Sequence, residues 1–266
     1  MTTLSTLKKF KKDGTKFTCL TCYDAMFARM MEKAEIDTIL VGDSLGMVVQ
    51  GHESTLPVTV NDMAYHTANI ARSNKQALIL ADLPFMSYAL EAEAIANSRQ
   101  LMQAGAHVIK LEGGRELSRL VATLAQAGTP TCVHLGLTPQ SVNVFGGYKI
   151  QGRSDEAADK LLADAKAVVE AGAALLVLEC VPAELAKTVT EAVAVPVIGI
   201  GAGADTDGQV LVMHDMLGMV HGRAPRFIHD FLTDERNTER SIEGAFALYQ
   251  QSVREGSFPQ AQHQFD

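Results

Sequence analysis

The fold class this sequence predicts is α/β, a single (β/α)8 (TIM) barrel, and three observations predict it. Short apolar, β-branched runs recur along the chain, and alanine-rich stretches with helical spacing lie between them. Charged or imidazole side chains stand at the same end of successive runs: Asp43 after TILVG, Asp82 after ALILA, Lys110 and Glu112 in HVIKLEG, His134 in TPTCVHLG and Glu179 in ALLVLEC. Continuous apolar strands alternating with helices imply a parallel sheet covered on both faces, and about eight such units imply closure into a barrel.

Taken in order, strands are expected near 17–21, 38–42, 77–81, 107–111, 130–135, 174–179, 195–200 and 210–213, the last with the weakest pattern. Helices are expected at 25–34, 91–104, 116–127, 156–171 and 183–192. Several end in Ala-Gly, as at Ala104-Gly105, Ala127-Gly128 and Ala171-Gly172, where glycine takes the left-handed position that stops a helix. The longest stretch without regular pattern, 137–154, holds Pro139, Gly146, Gly147 and Gly152 directly after the His134 strand, and is expected to act as a lid. The glycine-rich turn Ile198-Gly199-Ile200-Gly201-Ala202-Gly203 lacks the spacing of a phosphate cradle. It reads as a tight turn that lets backbone approach a ligand or a neighbouring loop.

At 266 residues, 47% apolar and 20% charged, the chain can bury one large core, so residues 1–266 are read as one domain. A net charge of −8 argues against nucleic acid or an anionic membrane as partner, since both are polyanions. No apolar run approaches the roughly 20 residues that span a bilayer, and the polar start has no signal-peptide core, so a cytoplasmic protein acting on small molecules is expected. Cys19, Cys22, Cys132 and Cys180 are too few for a disulfide framework. The C-x-x-C at 19–22 has no second pair or nearby histidines, so these thiols are read as core.

In a barrel of this kind the active site lies at the carboxyl ends of the strands, where the charged residues fall. A lone strand-end aspartate more often caps the next helix or pairs with a lysine. Asp43, Asp82 and Glu112 end three consecutive strands, however, and crowded carboxylates are best relieved by a hard divalent cation, for which oxygen-only ligands favour Mg²⁺. Lys110 lies two residues before Glu112 and so shares its face of the strand, the barrel interior. Such a lysine neutralises a substrate carboxylate, forms a Schiff base if its charge is suppressed, or simply pairs with Glu112. His134 either bonds to a substrate oxygen or is a satisfied core histidine. Glu179, from the sixth strand, faces strands two and three across the barrel and is the candidate base for removing a proton beside a carbonyl.

At these residues the chain resembles the ketopantoate hydroxymethyltransferase family. The likeness runs through LTCYDA (20–25), VGDSLGMVVQGH (41–52), ADLPFMSY (81–88), VIKLEGG (108–114), HLGLTPQ (134–140), GGYKIQGR (146–153), LVLECVP (176–182), IGIGAG (198–203) and GSFP (256–259). It implies a barrel of the phosphoenolpyruvate/pyruvate superfamily type. It further implies hydroxymethyl transfer from 5,10-methylenetetrahydrofolate to 3-methyl-2-oxobutanoate through a Mg²⁺-stabilised enolate. The products would be 2-dehydropantoate and tetrahydrofolate, in the first committed step of pantothenate synthesis. Carried over by residue, the resemblance implies Mg²⁺ at Asp43, Asp82 and, through water, Glu112. The 2-oxo acid would meet Asp43, Ser44, Asp82 and Lys110, with Glu179 as proton acceptor and His134 orienting the substrate. It also implies a homo-oligomer, commonly a decamer, and the GSFP tail is a candidate to dock on another subunit. The folate contacts stay open, because Phe85, Tyr88, Phe145 and Tyr148 could equally be packing residues.

Overall fold

The computed structural model describes residues 1–220, 222 and 224–266. His221 and Arg223, at the start of the carboxyl-terminal segment that the family pattern leaves less constrained, lie outside the described residues. The strands are β1 (Phe17–Thr21), β2 (Thr38–Val41), β3 (Leu78–Asp82), β4 (Val108–Glu112), β5 (Thr131–Gly136), β6 (Leu175–Glu179), β7 (Val197–Ile200) and β8 (Gly208–Leu211). They pair in sequence order, all parallel, and β8 closes on β1 with Gly208 opposite Phe17.

The helices are α1 (Leu4–Asp13), α2 (Ala25–Lys33), α3 (Leu45–Val48), α4 (Val60–Ser73), α5 (Glu91–Ala104), α6 (Ser118–Gln126), α7 (Val142–Phe145), α8 (Asp155–Glu170), α9 (Ala183–Ala192), α10 (Met213–Met216) and α11 (Ile242–Arg254). Among the described residues no helix is long and apolar enough to cross a membrane. The five expected helices are present as α2, α5, α6, α8 and α9. Three further helices lie outside those alanine-rich segments: α1, α4, which opens with a Thr59–Asp62 capping box, and α11.

The alternation fails once, after β7, where residues 201–207 cross to β8 without a helix. Asp207 replaces the missing packing: its carboxylate accepts from Val197 N at 2.8 Å and Lys11 Nζ at 2.7 Å, and its carbonyl from Phe17 N at 3.1 Å. β8 also begins two residues earlier than 210. Gly208 and Gln209 carry no apolar signal, and Gly208 is flush against the Phe17 ring, 2.7 Å from where a Cβ would stand. The segment 137–154 is not featureless either, since it contains a 3-10 turn at Pro139–Ser141 followed by α7.

Period-two alternation divides each strand between two cores. Ile39, Ile79, Ile109, Val133 and Leu176 face outward against the helices, in one cluster with Met31, Met63, Ile70 and Leu101. Phe17, Cys19, Leu78, Leu80, Val108, Cys132, Leu175 and Val177 face inward, and Leu7 of α1 plugs the amino end of the barrel. Each fully buried side chain of this size stabilises by about 1.5–3 kcal/mol relative to exposure. The seam is tied by Tyr249 of α11, whose hydroxyl donates to Cys19 O (3.1 Å) and Gln209 O (2.8 Å). The four cysteines are free and buried, and burial pushes the Cys19 and Cys22 thiols up to about 12. Within the GSFP tail, Phe258 packs on its own barrel, buried against Phe231, Tyr249 and His263.

Candidate active site

The inward columns change character at their carboxyl ends. Leu78 and Leu80 lead to Asp82, Val108 leads to Lys110 and Glu112, Cys132 leads to His134, and Leu175 and Val177 lead to Glu179. Since the spacing is two in each case, the polar groups stack on top of the apolar interior. Asp43 and Ser44 follow β2 directly. All seven sequence-predicted residues, Asp43, Ser44, Asp82, Lys110, Glu112, His134 and Glu179, line one cavity of about 250 Å³.

On the β2 to β5 side the charges are buried and crowded. Lys110 Nζ lies 3.1 Å from Asp82 Oδ1 and 3.6 Å from Glu112 Oε1. Burial opposes the ammonium, but Asp82, Glu112 and Asp43 outweigh it and hold Lys110 well above its ordinary range. An amine kept protonated this firmly is a point charge, which speaks against the Schiff-base alternative. Burial and then the neighbouring carboxylates push Asp43 upward. Asp82 is raised by burial in spite of Lys110. Glu112 goes the other way: burial raises it, but His134, Lys110 and the Gln140 amide hold it below the usual carboxylate range.

His134 spans the site. Its Nδ1 is 3.4 Å from Glu112 Oε1 and its Nε2 3.3 Å from Glu179 Oε2. Neither nitrogen makes an aligned hydrogen bond, so these are charge contacts. Burial and Lys110 disfavour the imidazolium, yet the two carboxylates prevail and hold His134 at about 9. A shift in that direction favours the charged imidazole between the two carboxylates.

The backbone around Glu179 is fixed by an unusual turn. Cys180 has φ of +49°, and its amide donates to Ile200 O while its carbonyl accepts from Gln151 N, both at 2.9 Å. A non-glycine residue in the left-handed region stores strain of about 1 kcal/mol or more and persists where neighbours over-determine it. Gly136 (φ +89°) lies beside it, and a Cβ there would collide with the Glu179 carbonyl oxygen.

Two residues of this site gave no signal as chemistry-bearing groups in the sequence. Gln140, buried in the 3-10 turn after β5, donates through Nε2 to Asp43 Oδ2 (2.8 Å) and Leu83 O (2.9 Å), and through its amide to Glu112 Oε2 (2.9 Å). Its Oε1 accepts from Tyr88 OH at 2.6 Å, and that hydroxyl also lies against the Glu112 backbone. Its side chain therefore sets the position of the Asp43 carboxylate, and its backbone N–H that of Glu112. Asp215 of α10 lines the cavity on the β8 side, and burial followed by repulsion from Glu179 pushes it up to about 6. A polar residue in a loop or a four-residue helix looks like any other in sequence; the position of Gln140 directly after Pro139 in the HLGLTPQ motif was the available pointer. Ser44 Oγ is bonded to Tyr23 OH (2.9 Å). Of the open aromatics, Tyr148 reaches this cavity, Tyr88 holds Gln140, and Phe85 and Phe145 do not line it.

The donors suit a hard cation. Asp82 Oδ1 is buried without an aligned hydrogen-bond donor, and Asp43 and Asp82 are both raised by crowding and burial, a strain that a cation among oxygen ligands relieves. Among the described residues, however, no three such groups form a ready-made cage. Lys110 stands beside Asp82, and both oxygens of Glu112 are engaged by Lys110, His134 and the Gln140 amide. That suits a cation held by one or two carboxylates with water and substrate completing its shell, as Mg²⁺ prefers.

The family model for ketopantoate hydroxymethyltransferase matches residues 1–261. Among curated relatives, the 3-methyl-2-oxobutanoate hydroxymethyltransferase of Psychrobacter cryohalolentis is 89% identical over 265 residues, covering 100% of both chains. That of Acinetobacter baylyi is 58% identical over 266 residues, covering 100% of this chain and 98% of its own. Among solved structures, a phosphonopyruvate hydrolase is similar in fold (14% identity, TM-score 0.62, 80% of this chain and 81% of that one). So is 2,3-dimethylmalate lyase, a PEP mutase/isocitrate lyase superfamily member (17% identity, TM-score 0.58, 79% and 81%). The solved structures share the barrel fold, and the chain, a transferase, belongs to the ketopantoate hydroxymethyltransferase family.

Proposed function

We propose that the protein transfers a hydroxymethyl group from 5,10-methylenetetrahydrofolate to 3-methyl-2-oxobutanoate, giving 2-dehydropantoate and tetrahydrofolate, through an enolate made at this site. The observation that carries the reading is that Glu179, on β6, shares one small cavity with the buried Asp43, Asp82, Lys110 and Glu112 of the opposite wall. Asp43 and Asp82 would hold Mg²⁺ directly, with Glu112 acting through water. When bound, the ion draws electron density from the keto oxygen and stabilises negative charge there.

The protein's own groups do the rest. Lys110 meets the substrate carboxylate as a fixed positive charge, and Ser44, held by Tyr23, offers a hydroxyl beside it. Gln140 keeps the Asp43 and Glu112 carboxylates in place. Water releases the donor's methylene carbon as formaldehyde, breaking its bonds to N5 and N10, which leave protonated as tetrahydrofolate. Glu179 takes the proton from C3, the C3 carbon left with the electron pair attacks that carbonyl carbon, and the alkoxide formed takes up a proton to become the hydroxymethyl group. The His134 imidazolium, between Glu112 and Glu179, orients the Glu179 carboxylate and balances its charge before it takes the proton. The closed apolar floor of the barrel excludes water from below.

Proton NMR in D₂O tests this. Exchange of the C3 proton of 3-methyl-2-oxobutanoate that requires Mg²⁺, followed by 2-dehydropantoate once methylenetetrahydrofolate is added, is the expected result. No exchange with metal and folate both present overturns it. Assembly into a homo-oligomer in the cytoplasm belongs to the same proposal, and the exposed Phe85, Met86 and Leu90 are apolar surface suited to it; native mass measurement is the check.

A further inference from the structure

A second hollow, of about 680 Å³, opens beside the active-site cavity. It shares Tyr148, Glu179, Pro225 and Phe227 with the smaller one, so the two compartments meet at the proposed base. Its volume falls in the range of sites that take ligands of several hundred daltons, whereas the inner cavity suits a small acid.

The chemistry of its walls is graded. At the shared inner end stand two aromatic rings, a proline and Glu179; beyond it, Lys149, Arg153 and Arg226 line the groove but not the inner cavity. Three cations gathered in one groove run against the chain's net charge of −8. None of the three is in an ion pair among the described residues. Glu179 is the one acid in the lining. The outer wall is built by the chain's own tail: Arg226 Nε donates to Gln262 O at 2.8 Å, and Phe265 O accepts from Ala183 N at 2.9 Å, which brings the Phe265 ring into the groove.

A ligand that matches this gradient has a flat ring system at its reactive end and carboxylates at its far end. Aromatic faces stack on the ring, and guanidinium forks recognise carboxylates in pairs. We propose that this groove is the subsite for the one-carbon donor, with the ring system of a reduced folate between Tyr148 and Phe227 and its glutamate carboxylates on Lys149, Arg153 and Arg226. The proposal rests on the folate reading above and adds the place and the polarity of binding. It also explains why the two compartments join at Glu179: the methylene carbon must arrive beside the C3 carbon from which the proton has left.

The test compares two methylene donors, one made from tetrahydrofolate and one from tetrahydropteroate, which lacks the glutamate. The wild-type KM for the truncated donor should be higher by about tenfold or more. R153A/R226A should raise the KM for the full donor by a similar factor and erase the difference between the two. R153K/R226K, which keeps the charge, should retain most of the preference, and a thermal melt of each variant checks that it is folded. If the wild type does not distinguish the donors, or if the alanine variant still does, the groove does not read the glutamate and the assignment fails. If the wild type exchanges the C3 proton but makes no product from either donor, the folate reading itself fails, a separate result from the first.

Discussion

The two ends of the barrel interior are built from the same strands and differ in almost every physical respect. At the amino end, Leu7, Phe17, Leu78, Val108 and Leu175 form a dry plug whose stabilisation is hydrophobic burial. Two to four residues further along, Asp82, Lys110, Glu112 and His134 are just as buried and carry charge. Burying them costs free energy that their mutual contacts only partly return, since removing any one leaves a partner unpaired. One end holds the barrel together and the other uses that rigidity to keep a strained cluster in place. The comparison teaches that this site is a load on the fold, held by groups with no chemistry of their own.

The largest effect should come from E179Q, which keeps size and hydrogen bonding but cannot take a proton. C3 exchange should fall by about a thousandfold, roughly 4 kcal/mol in the barrier, while 3-methyl-2-oxobutanoate still binds. Exchange at the wild-type rate would remove Glu179 from the mechanism. Next is L7A at the opposite end, expected to lower stability by about 3 kcal/mol in chemical denaturation, with little change in the exchange rate below the transition. An L7A protein that loses exchange before it loses structure would show that the two ends are not separable.

Q140A sharpens the boundary between them. It removes two donors, to Asp43 and Leu83, and one acceptor, for Tyr88, without removing a charge. Loosening the Asp43 carboxylate in this way, while the backbone bond to Glu112 stays, should cost about 2 kcal/mol in kcat/KM for the oxo acid, roughly 30-fold. Wild-type kinetics in Q140A would mean that Asp43 holds its own position.

The same contrast explains what was legible in sequence. The strands were, since runs such as ALLVLE are apolar on both faces and only a two-sided sheet uses them. Asp43, Asp82, Lys110, Glu112, His134 and Glu179 were as well, because a charge in such a run is conspicuous. Gln140 and Asp215 were not: polar residues on loops are the norm, and only the fold shows that these two point into the site. The missing helix after β7 escaped for a related reason, since Asp207 holds that crossing by hydrogen bonds that leave no periodic trace.

Asp215 gives the smallest and most specific prediction. Burial, then Glu179, raises its carboxyl to about 6, against 3.8 when unperturbed. Between those values the folded protein holds a proton that the unfolded chain has released. Stability on this account therefore falls as pH rises through that window. The group is partly exposed, so the full shift must be discounted for solvent screening, leaving about 1 kcal/mol. D215N, with nothing to lose, should be missing that part of the decline, so its stability relative to wild type should improve by this amount between pH 4 and pH 7 on the same linkage. A pH-independent difference between the two proteins would mean that Asp215 is ionised as freely in the fold as outside it. The cavity wall around it would then be wetter than the wall around Asp82, and the contrast between the two faces of the site would lie in hydration more than in charge.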